Sequence, residues 1–188
     1  AEPLDIPGLP PEPRLTEADL IRRLDERYGK TYRNGRYLGR RFTRAAHVAN
    51  AAGYLQGGER IVDYLAIDVF TSPNLTEAEQ AQTWTMRNGS IHGHEVKTSR
   101  ADWLAELRDP SKAEAWLKHC HHWWLVAPVD VVHDDLPEGW GWIAPSGEGM
   151  RVRVQAPRRD PEPLPVTTLA SLARAITKTE IALAGGTA

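Results

Sequence analysis

The sequence contains little cysteine, little net charge and no long apolar run, and each shortage excludes a class of protein. Cys120 is the one cysteine among 188 residues, which excludes an intrachain disulfide framework and favours a reducing, cytoplasmic location. No segment reaches the ~18 consecutive apolar residues that a membrane-spanning helix requires. The formal net charge is −2, so a site for an anionic partner would have to be local rather than chain-wide.

The sequence does contain enough apolar side chain for one folded domain. Hydrophobic residues make up 41% of the chain and include seven tryptophans, a content that offsets the entropy of ordering a chain of this length. A Pro-rich opening, residues 1–13, predicts an extended arm before the domain, which we expect to cover residues 14–160. Residues 161–188 are predicted to form a linker and a C-terminal helix.

The hydrophobic patterns predict a mixed α/β order. A first helix is predicted to end at Gly29, where its apolar spacing stops. Aliphatic and β-branched residues predict a strand over 60–70, and the segment IHGHEVK at 91–97 predicts another. A helix over about 101–119, interrupted at Pro110, is followed by an apolar strand, two further strands and the C-terminal helix. The order helix, uncertain strand, strand, strand, helix, strand is typical of an α/β protein with helices flanking a mixed sheet.

Glu95 and Lys97 indicate the chemistry of the chain. They stand two residues apart, so in a strand both side chains lie on one face, while Val96 faces the core. Asp63, early on the preceding strand, would lie opposite at roughly 5 Å if the two strands pair. Carboxylates are the hard oxygen ligands that Mg²⁺ or Mn²⁺ prefers, and a lysine beside them can orient or deprotonate a water. That combination suits the hydrolysis of an anionic phosphodiester.

The stretch 60–128, and above all its segment EVKTSRADWLAEL, resembles the PD-(D/E)XK nuclease superfamily, in particular its branch of MmcB-type DNA repair proteins from bacteria and phages. The resemblance implies a restriction-endonuclease-like core of helix, three strands, helix and strand (αβββαβ). It implies Asp63 and Glu95 as ligands of Mg²⁺ or Mn²⁺, the Val96 carbonyl as a third ligand, and Lys97 as the catalytic lysine. It also implies hydrolysis of DNA in repair, recombination or phage DNA metabolism; RNA as a substrate and a homodimer both remain open.

Asp68, on the same predicted strand, is the alternative to Asp63 as a ligand. The two positions differ by an odd number, so without a bulge their side chains face opposite sides of the sheet. Asp63 is preferred because it lies near the start of its strand, where an antiparallel partner would bring the strand end that carries Glu95. Neither aspartate follows a proline, so the literal PD dipeptide is absent, and the stretch 72–90 is longer than a short hairpin.

Several polar residues are predicted to contact a nucleic-acid backbone. Ser99 and Arg100 follow the motif where a helix begins, and a helix N-terminus with a guanidinium can hold a phosphate. Lys112 is added to this set, although an ordinary surface position is the alternative for it. An arginine cluster with interleaved aromatic residues forms the best local phosphate-binding patch, with a solvated face as the alternative. The cluster comprises Arg33, Arg36, Arg40, Arg41 and Arg44 with Tyr32, Tyr37 and Phe42.

Another metal site and two other functions are alternatives to this interpretation. The sequence HCHH at 119–122 has the residue types of a zinc site, but adjacent side chains diverge and no second ligand pair stands at finger-like spacing. A catalytically silent DNA-binding accessory protein on the same scaffold is the main alternative to a nuclease. A protein-interaction module that uses the Pro-rich arm is a third interpretation.

Overall fold

The computed structural model describes residues 14–29, 32–33, 36–37, 41–50, 60–69 and 89–185. The predicted arm over 1–13 lies outside these stretches. Within them the protein is an α/β fold in which helices flank a mixed six-stranded sheet, as the sequence predicts. No helix among the described residues is long and apolar enough to cross a lipid bilayer.

Four helices and eight strands are formed by the described residues. The helices are α1 (Glu17–Gly29), α2 (Arg100–Arg108), α3 (Ser111–Leu117) and α4 (Val166–Leu183). The strands are β1 (Tyr32–Arg33), β2 (Arg36–Tyr37), β3 (Phe42–Ala49), β4 (Ile61–Asp68), β5 (Ser90–Val96), β6 (His122–Val126), β7 (Gly141–Ser146) and β8 (Gly149–Val154). The predicted interruption at Pro110 separates α2 from α3.

Capping side chains explain where α1 and α2 begin. Thr16 Oγ1 accepts the Asp19 N–H at 3.2 Å, and the Asp19 carboxylate accepts the Thr16 N–H at 2.9 Å, which forms a reciprocal capping box. Ser99 Oγ accepts the Asp102 N–H at 3.2 Å ahead of α2. A cap of this kind contributes about 1 kcal/mol. The cap at Ser99 therefore fixes the point at which the chain leaves β5 and turns into a helix.

The sheet has the strand order β3-β4-β5-β6-β7-β8. β3, β4 and β5 are antiparallel neighbours, β5, β6 and β7 are parallel, and β8 is antiparallel to β7. Because parallel strands need a crossover connection, β5 and β6 are joined through α2 and α3. Between β4 and β5, Tyr64 pairs with His94 and Asp68 pairs with Ser90. Continuing this register by one residue places Asp63 opposite Glu95.

Two apolar layers enclose the sheet. On one face, α1 contributes Leu20 and Leu24 to a cluster that contains Tyr64 of β4. On the other face, Trp103 of α2 and Trp116 of α3 belong to a larger cluster. Both leucines are fully buried, and each contributes about 1.5–3 kcal/mol through that burial. The helices are therefore held on opposite faces of the sheet by separate cores.

The C-terminal helix α4 covers the outer edge of the sheet. The edge strand is β3, and its Ala46 N–H donates to the Thr179 hydroxyl at 3.0 Å. Arg44 of β3 is buried and donates to Glu180 at 3.1 Å and to the Asp25 carbonyl at 3.0 Å. An edge covered in this way cannot pair with another chain at these positions. α4 therefore belongs to the same packed unit as the sheet and α1.

Along β3 and β4, side chains alternate between the two faces of the sheet, but this alternation is interrupted at one point in both strands. His47 of β3 has φ of 51°, in the left-handed region that non-glycine residues seldom adopt. Residues three positions apart lie in one apolar cluster on both strands: Ala45 with Val48, and Val62 with Leu65. The pairing register is unchanged on either side of this point. The reversal therefore passes through both strands together, at the level of Asp63.

Candidate functional site

Asp63 and Glu95 come together where β4 begins and β5 ends. Asp63 Oδ2 accepts the Val96 N–H at 2.7 Å, so the carboxylate reaches across to the neighbouring strand beyond the last ladder pair. Asp63 is partly buried and Glu95 is buried. The antiparallel pairing is the cause, because the start of one strand then meets the end of the next. The structure therefore brings the two predicted acids to one end of the sheet.

Lys97 lies between two carboxylates. Its Nζ forms a short ion pair with Glu95 Oε1 and a second ion pair, at 3.2 Å, with Glu106 Oε2 of α2. The Lys97 side chain is 14% exposed and that of Glu106 is 7% exposed. Glu106 Oε1 is buried and makes no hydrogen bond within the described part of the chain. The positive charge of Lys97 is thus fixed between the end of β5 and the helix that follows it.

Sequence reasoning missed Glu106. This residue shares one face of α2 with Trp103 and Leu107, at the i, i+3, i+4 spacing of an apolar helical stripe. A carboxylate within such a stripe was the signal in the sequence, because a buried carboxylate requires a partner. That partner is Lys97, nine residues earlier in the chain.

The carboxyl groups of Asp63 and Glu95 have raised pKa values. Burial raises the pKa of Glu95 to about 8, and the charge of Asp63 adds to this effect while Lys97 opposes it. Burial also raises the pKa of Asp63, against the lowering effect of the Val96 N–H. Burial acts to lower the pKa of Lys97, but the carboxylates of Glu95 and Glu106 outweigh it and raise that pKa. Perturbed groups of this kind cluster at functional sites.

A second group of ligand-type side chains shares Asp63. Glu17 of α1, His47 of β3 and Asp63 each place one ligand atom within 4.8 Å of the other two. His47 Nδ1 lies 3.8 Å from Glu17 Oε1. Glu95 is not a member of this group. Sequence reasoning missed Glu17 and His47, because their approach to Asp63 depends on the docking of α1 and on the pairing of β3, which no local pattern reveals.

Asp68, the alternative ligand, lies at the far end of β4. It is buried and pairs with Ser90, the first residue of β5, rather than with the end of that strand. Its carboxylate accepts from Arg41 Nε at 2.8 Å. The structure therefore does not bring Asp68 together with Glu95, and Asp68 has a partner at its own end of the sheet.

The arginine cluster is divided by the fold. Arg44 is buried against Asp25 and Glu180, which leaves its guanidinium no access to a phosphate and corrects the prediction that it contacts a nucleic acid. Arg41 is paired with Asp68 and is half exposed. The side chains of Arg33, Arg36, Tyr32 and Tyr37, and the whole of Arg40, lie outside the described residues.

The residues after the motif have partners within the protein. Ser99 caps α2, and its hydroxyl also donates to the Asp102 carboxylate at 2.7 Å. Arg100 donates to the Val131 carbonyl at 3.1 Å and forms an ion pair with Asp135 at 2.6 Å. These contacts give Ser99 and Arg100 structural roles at the start of α2. The side chain of Lys112 lies outside the described residues.

The HCHH stretch directs its side chains to different partners. His119 Nδ1 donates to the Glu162 carbonyl at 3.1 Å. His121 Nδ1 accepts a backbone N–H of β5 at 3.0 Å. Cys120 is fully buried in the larger apolar cluster, and burial raises the pKa of its thiol. The side chains of this stretch therefore diverge into the core and towards the backbone.

Comparisons with known proteins provide one match. No protein-family model matches the chain, and no curated protein matches it. Among solved structures, the chain is similar to one described as SPO1766 protein of unknown function from Silicibacter pomeroyi. The two chains are 17% identical with a TM-score of 0.49, and the similarity covers 94% of this chain and 90% of that one. Nothing about activity follows from this similarity.

Proposed function

We propose that the protein is a metal-dependent nuclease that hydrolyses phosphodiester bonds in DNA, in repair, recombination or phage DNA metabolism. The observation that carries the proposal is the cluster of polar side chains where β4 begins and β5 ends. Asp63, Glu95, Lys97 and Glu106 meet there. Carboxylates held beside a fixed ammonium suit a metal-assisted attack on an anionic ester, because the developing negative charge needs preorganised positive charge nearby.

The proposal includes a restriction-endonuclease-like core. Along the chain, α1, β3, β4, β5, the α2–α3 pair and β6 follow one another in the helix, three strands, helix, strand order that the resemblance implies. The short β1–β2 hairpin is inserted between α1 and β3. β7, β8 and α4 are then the additions to this core. The end of its third strand is where Glu95 and Lys97 lie, and this position supports the assignment.

The donor set suits a hard divalent cation. Three carboxylates, those of Asp63, Glu95 and Glu106, stand around the single ammonium of Lys97, so full ionisation leaves two uncompensated negative charges. Glu106 Oε1 is buried without a hydrogen bond to the described residues, which is costly unless a cation or a water binds there. Oxygen donors favour Mg²⁺ or Mn²⁺. Asp63, Glu95 and the Val96 carbonyl would hold the ion.

The charges assign different tasks to the side chains. A bound Mg²⁺ or Mn²⁺ supplies an activated water and neutralises charge on the phosphate. Burial opposes the charge of Lys97, but the neighbouring carboxylates raise its pKa, so the ammonium persists at neutral pH. Lys97 can therefore orient a water and stabilise an anionic transition state, but it does not act as a base. Glu95 has a pKa of about 8 without the ion, so it would have to give up its proton near neutral pH in order to bind the ion.

Cleavage of labelled single-stranded, duplex, nicked and branched DNA in the presence of Mg²⁺ or Mn²⁺ tests the proposal. Wild-type protein is compared with Asp63→Asn, Glu95→Gln and Lys97→Met, which preserve side-chain size. Glu114→Gln and Lys118→Met replace an exposed carboxylate and an exposed ammonium and serve as matched controls. We expect cleavage that requires metal, persists in the controls and falls at least about 100-fold in each site variant.

One further measurement makes the result decisive. Circular dichroism spectra of the site variants distinguish a lost activity from a lost fold. Cleavage that all three site variants retain would assign the activity to another site or to a contaminant, and the proposal would then fail. Cleavage that is lost equally in the controls would fail it as well.

One observation favours a second function, a catalytically silent DNA-binding protein on the same scaffold. Asp63 Oδ2 already accepts the Val96 N–H, and Glu95 Oε1 is already paired with Lys97. Oxygen atoms that are bound to protein donors bind a cation more weakly than free ones. Binding of DNA that EDTA does not change, without cleavage of any substrate in the panel, would select this function.

A further inference from the structure

A second cluster of metal-ligand side chains lies where α1 meets the start of β4. Glu17 is the first residue of α1, His47 lies in β3 and Asp63 lies in β4. One nitrogen and two carboxylate oxygens, one from each residue, lie within 4.8 Å of one another. Their convergence is set by the fold, because the capping box at Thr16 fixes the start of α1 and strand pairing holds β3 against β4.

One pair in this cluster lies close to the separation of two ligands around an ion. His47 Nδ1 and Glu17 Oε1 are 3.8 Å apart, which is too far for a hydrogen bond. Ligand atoms ~2.1 Å from a tetrahedral ion lie ~3.4 Å from one another, so a small contraction brings this pair to coordination distance. Within the described part of the chain, neither the Glu17 carboxylate nor the His47 imidazole makes a hydrogen bond. Their lone pairs are therefore free to bind a cation.

Charge and access both suit a divalent ion. The carboxylates of Glu17 and Asp63 carry two negative charges when ionised, and a neutral imidazole adds none. The side chains of Glu17 and His47 are 52% and 55% exposed, so an ion can reach them from solvent. His47 and Ala18 also line a groove of about 510 Å³ between α1 and α4.

The geometry points to a binding site for a first-row transition metal, Zn²⁺ before Mn²⁺, formed by Glu17, His47 and Asp63. The imidazole nitrogen favours Zn²⁺ over Mg²⁺, whereas the carboxylates alone would not. Three protein ligands leave at least one coordination position open, as in zinc sites that bind water or substrate rather than purely structural ones. The site shares Asp63 with the proposed nuclease centre but does not depend on nuclease activity.

Isothermal titration of the full chain with Zn²⁺, Mn²⁺ and Mg²⁺ tests the site, using protein without a polyhistidine tag and freed of metal with EDTA. We expect one Zn²⁺ per chain and weaker binding of Mn²⁺, with Mg²⁺ competing through the shared Asp63 only at concentrations far above that of Zn²⁺. Glu17→Gln and His47→Asn are each expected to raise the Zn²⁺ dissociation constant at least about tenfold. Asparagine is chosen because it tolerates the left-handed backbone of His47.

Matched variants separate ligand loss from general damage. Glu26→Gln and His133→Asn replace an exposed glutamate and an exposed histidine elsewhere and should leave Zn²⁺ affinity unchanged. His47→Asp exchanges the nitrogen ligand for an oxygen, so it should retain Mn²⁺ binding and lose the preference for Zn²⁺. The visible absorption of Co²⁺-loaded protein reports the ligand set and should change in the His47 variants but not in the controls.

Three outcomes would overturn the site. Either the wild-type protein binds no Zn²⁺, or Glu17→Gln and His47→Asn bind it as tightly as wild type. Loss of Zn²⁺ binding in Glu95→Gln would also overturn it, because the ion would then be bound where β4 begins and β5 ends, with Glu95 as a ligand. The readout is metal affinity, so an absence of DNA cleavage, which would end the nuclease proposal, leaves this result unchanged.

Discussion

Lys97 holds together two carboxylates that would repel each other without it. Glu95 and Glu106 are buried, and both contact its ammonium. Removing one partner of a buried ion pair leaves an uncompensated charge and costs about 3–5 kcal/mol. We therefore expect Lys97→Met to lower the free energy of unfolding by about 3 kcal/mol or more at pH 9, above the Glu95 pKa of about 8, as measured by urea denaturation in EDTA.

A second lysine provides the control for this prediction. Lys118 is 52% exposed and forms an ion pair with Glu162 at 3.4 Å. An exposed pair contributes about 1 kcal/mol or less, so Lys118→Met should change the free energy of unfolding by no more than that. Equal losses in the two variants would contradict a buried, charge-balancing role for Lys97.

Glu95 makes the stability of the protein depend on pH. Chiefly because of burial, the pKa of its carboxyl is about 8 in the folded protein, against an ordinary value of 4.5. A pKa raised by folding contributes stability that is complete below about pH 4.5 and is lost as the pH rises through about 8. Glu95→Gln cannot ionise, so it should gain stability relative to wild type between pH 5 and pH 9 in EDTA. Urea denaturation measures the difference, and parallel pH profiles would contradict the raised pKa.

Single residues were predictable from the sequence where strand pairing alone decides their position. The choice of Asp63 over Asp68 as the neighbour of Glu95 follows from antiparallel order, since the start of one strand meets the end of the next. Arg44 was not predictable in this way. It stands in a basic stretch that reads as surface, yet its burial depends on Glu180, which is 136 residues away in the chain. A contact at that separation leaves no local pattern.

At the scale of elements, the left-handed residue in β3 should govern which substitutions the strand tolerates. His47 has φ of 51°, a conformation that costs an L-residue about 1–2 kcal/mol and that β-branched residues tolerate least. We expect His47→Val to be less stable than His47→Asn by about 2 kcal/mol in urea denaturation, although valine favours strands. Thr43→Val, at an ordinary position of β3, should change stability by less than about 0.5 kcal/mol. A stabilising His47→Val would contradict the left-handed backbone.

The histidines of β5, His92 partly buried and His94 fully buried, should make that strand sensitive to acid. Burial lowers the pKa of His92 to about 2 and that of His94 to about 3, from an ordinary value of 6.5. A pKa lowered by folding contributes stability above about pH 6.5 that is lost as the pH falls towards the folded values. His92→Asn should therefore reduce the slope of unfolding free energy against pH, between pH 6.5 and 4, by up to ~1.4 kcal/mol per pH unit.

Asparagine is chosen to replace His92 because it can still accept a hydrogen bond from the Trp124 indole. Trp124 Nε1 donates to His92 Nδ1 at 3.2 Å, and the amide oxygen of asparagine can accept from a similar position. His133→Asn, at an exposed site, controls for the loss of a histidine and should leave the slope unchanged. Identical slopes in wild type and His92→Asn would contradict a partly buried, neutral His92.

Elements were predictable where the apolar period is regular. The strand expected over 60–70 is β4, the one expected over 91–97 is β5, and the interrupted helix expected over 101–119 is α2 and α3. The reversal of faces at His47 was not predictable, because strict alternation assigns Ala45 and Val48 to opposite faces. Packing on both faces of the sheet therefore determines the backbone geometry at His47, although the two-residue period of the sequence predicts strict alternation.

At the scale of the whole molecule, the predicted boundary at residue 160 does not separate α4 from the sheet. The sequence indicates a terminal helix but not the surface that it covers, because β3, the strand it protects, was itself uncertain in the sequence. In the structure, Thr168 Oγ1 donates to the Asn50 carbonyl at 2.6 Å, and Thr179 accepts from the β3 backbone. The hydroxyl groups of α4 therefore satisfy backbone groups of the edge strand β3 and of the residue that follows it.

Removal of residues 161–188 tests this mutual dependence. The truncation exposes the apolar surface that Leu172 covers and takes Glu180 away from the buried Arg44. Loss of one buried leucine costs about 1.5–3 kcal/mol and loss of a buried ion-pair partner about 3 kcal/mol, so the free energy of unfolding should fall by at least about 4 kcal/mol in urea. Val166→Ser, at an 81% exposed position of α4, should change it by less than about 0.5 kcal/mol. A truncated protein with wild-type stability would mean that Arg44 needs no partner from α4.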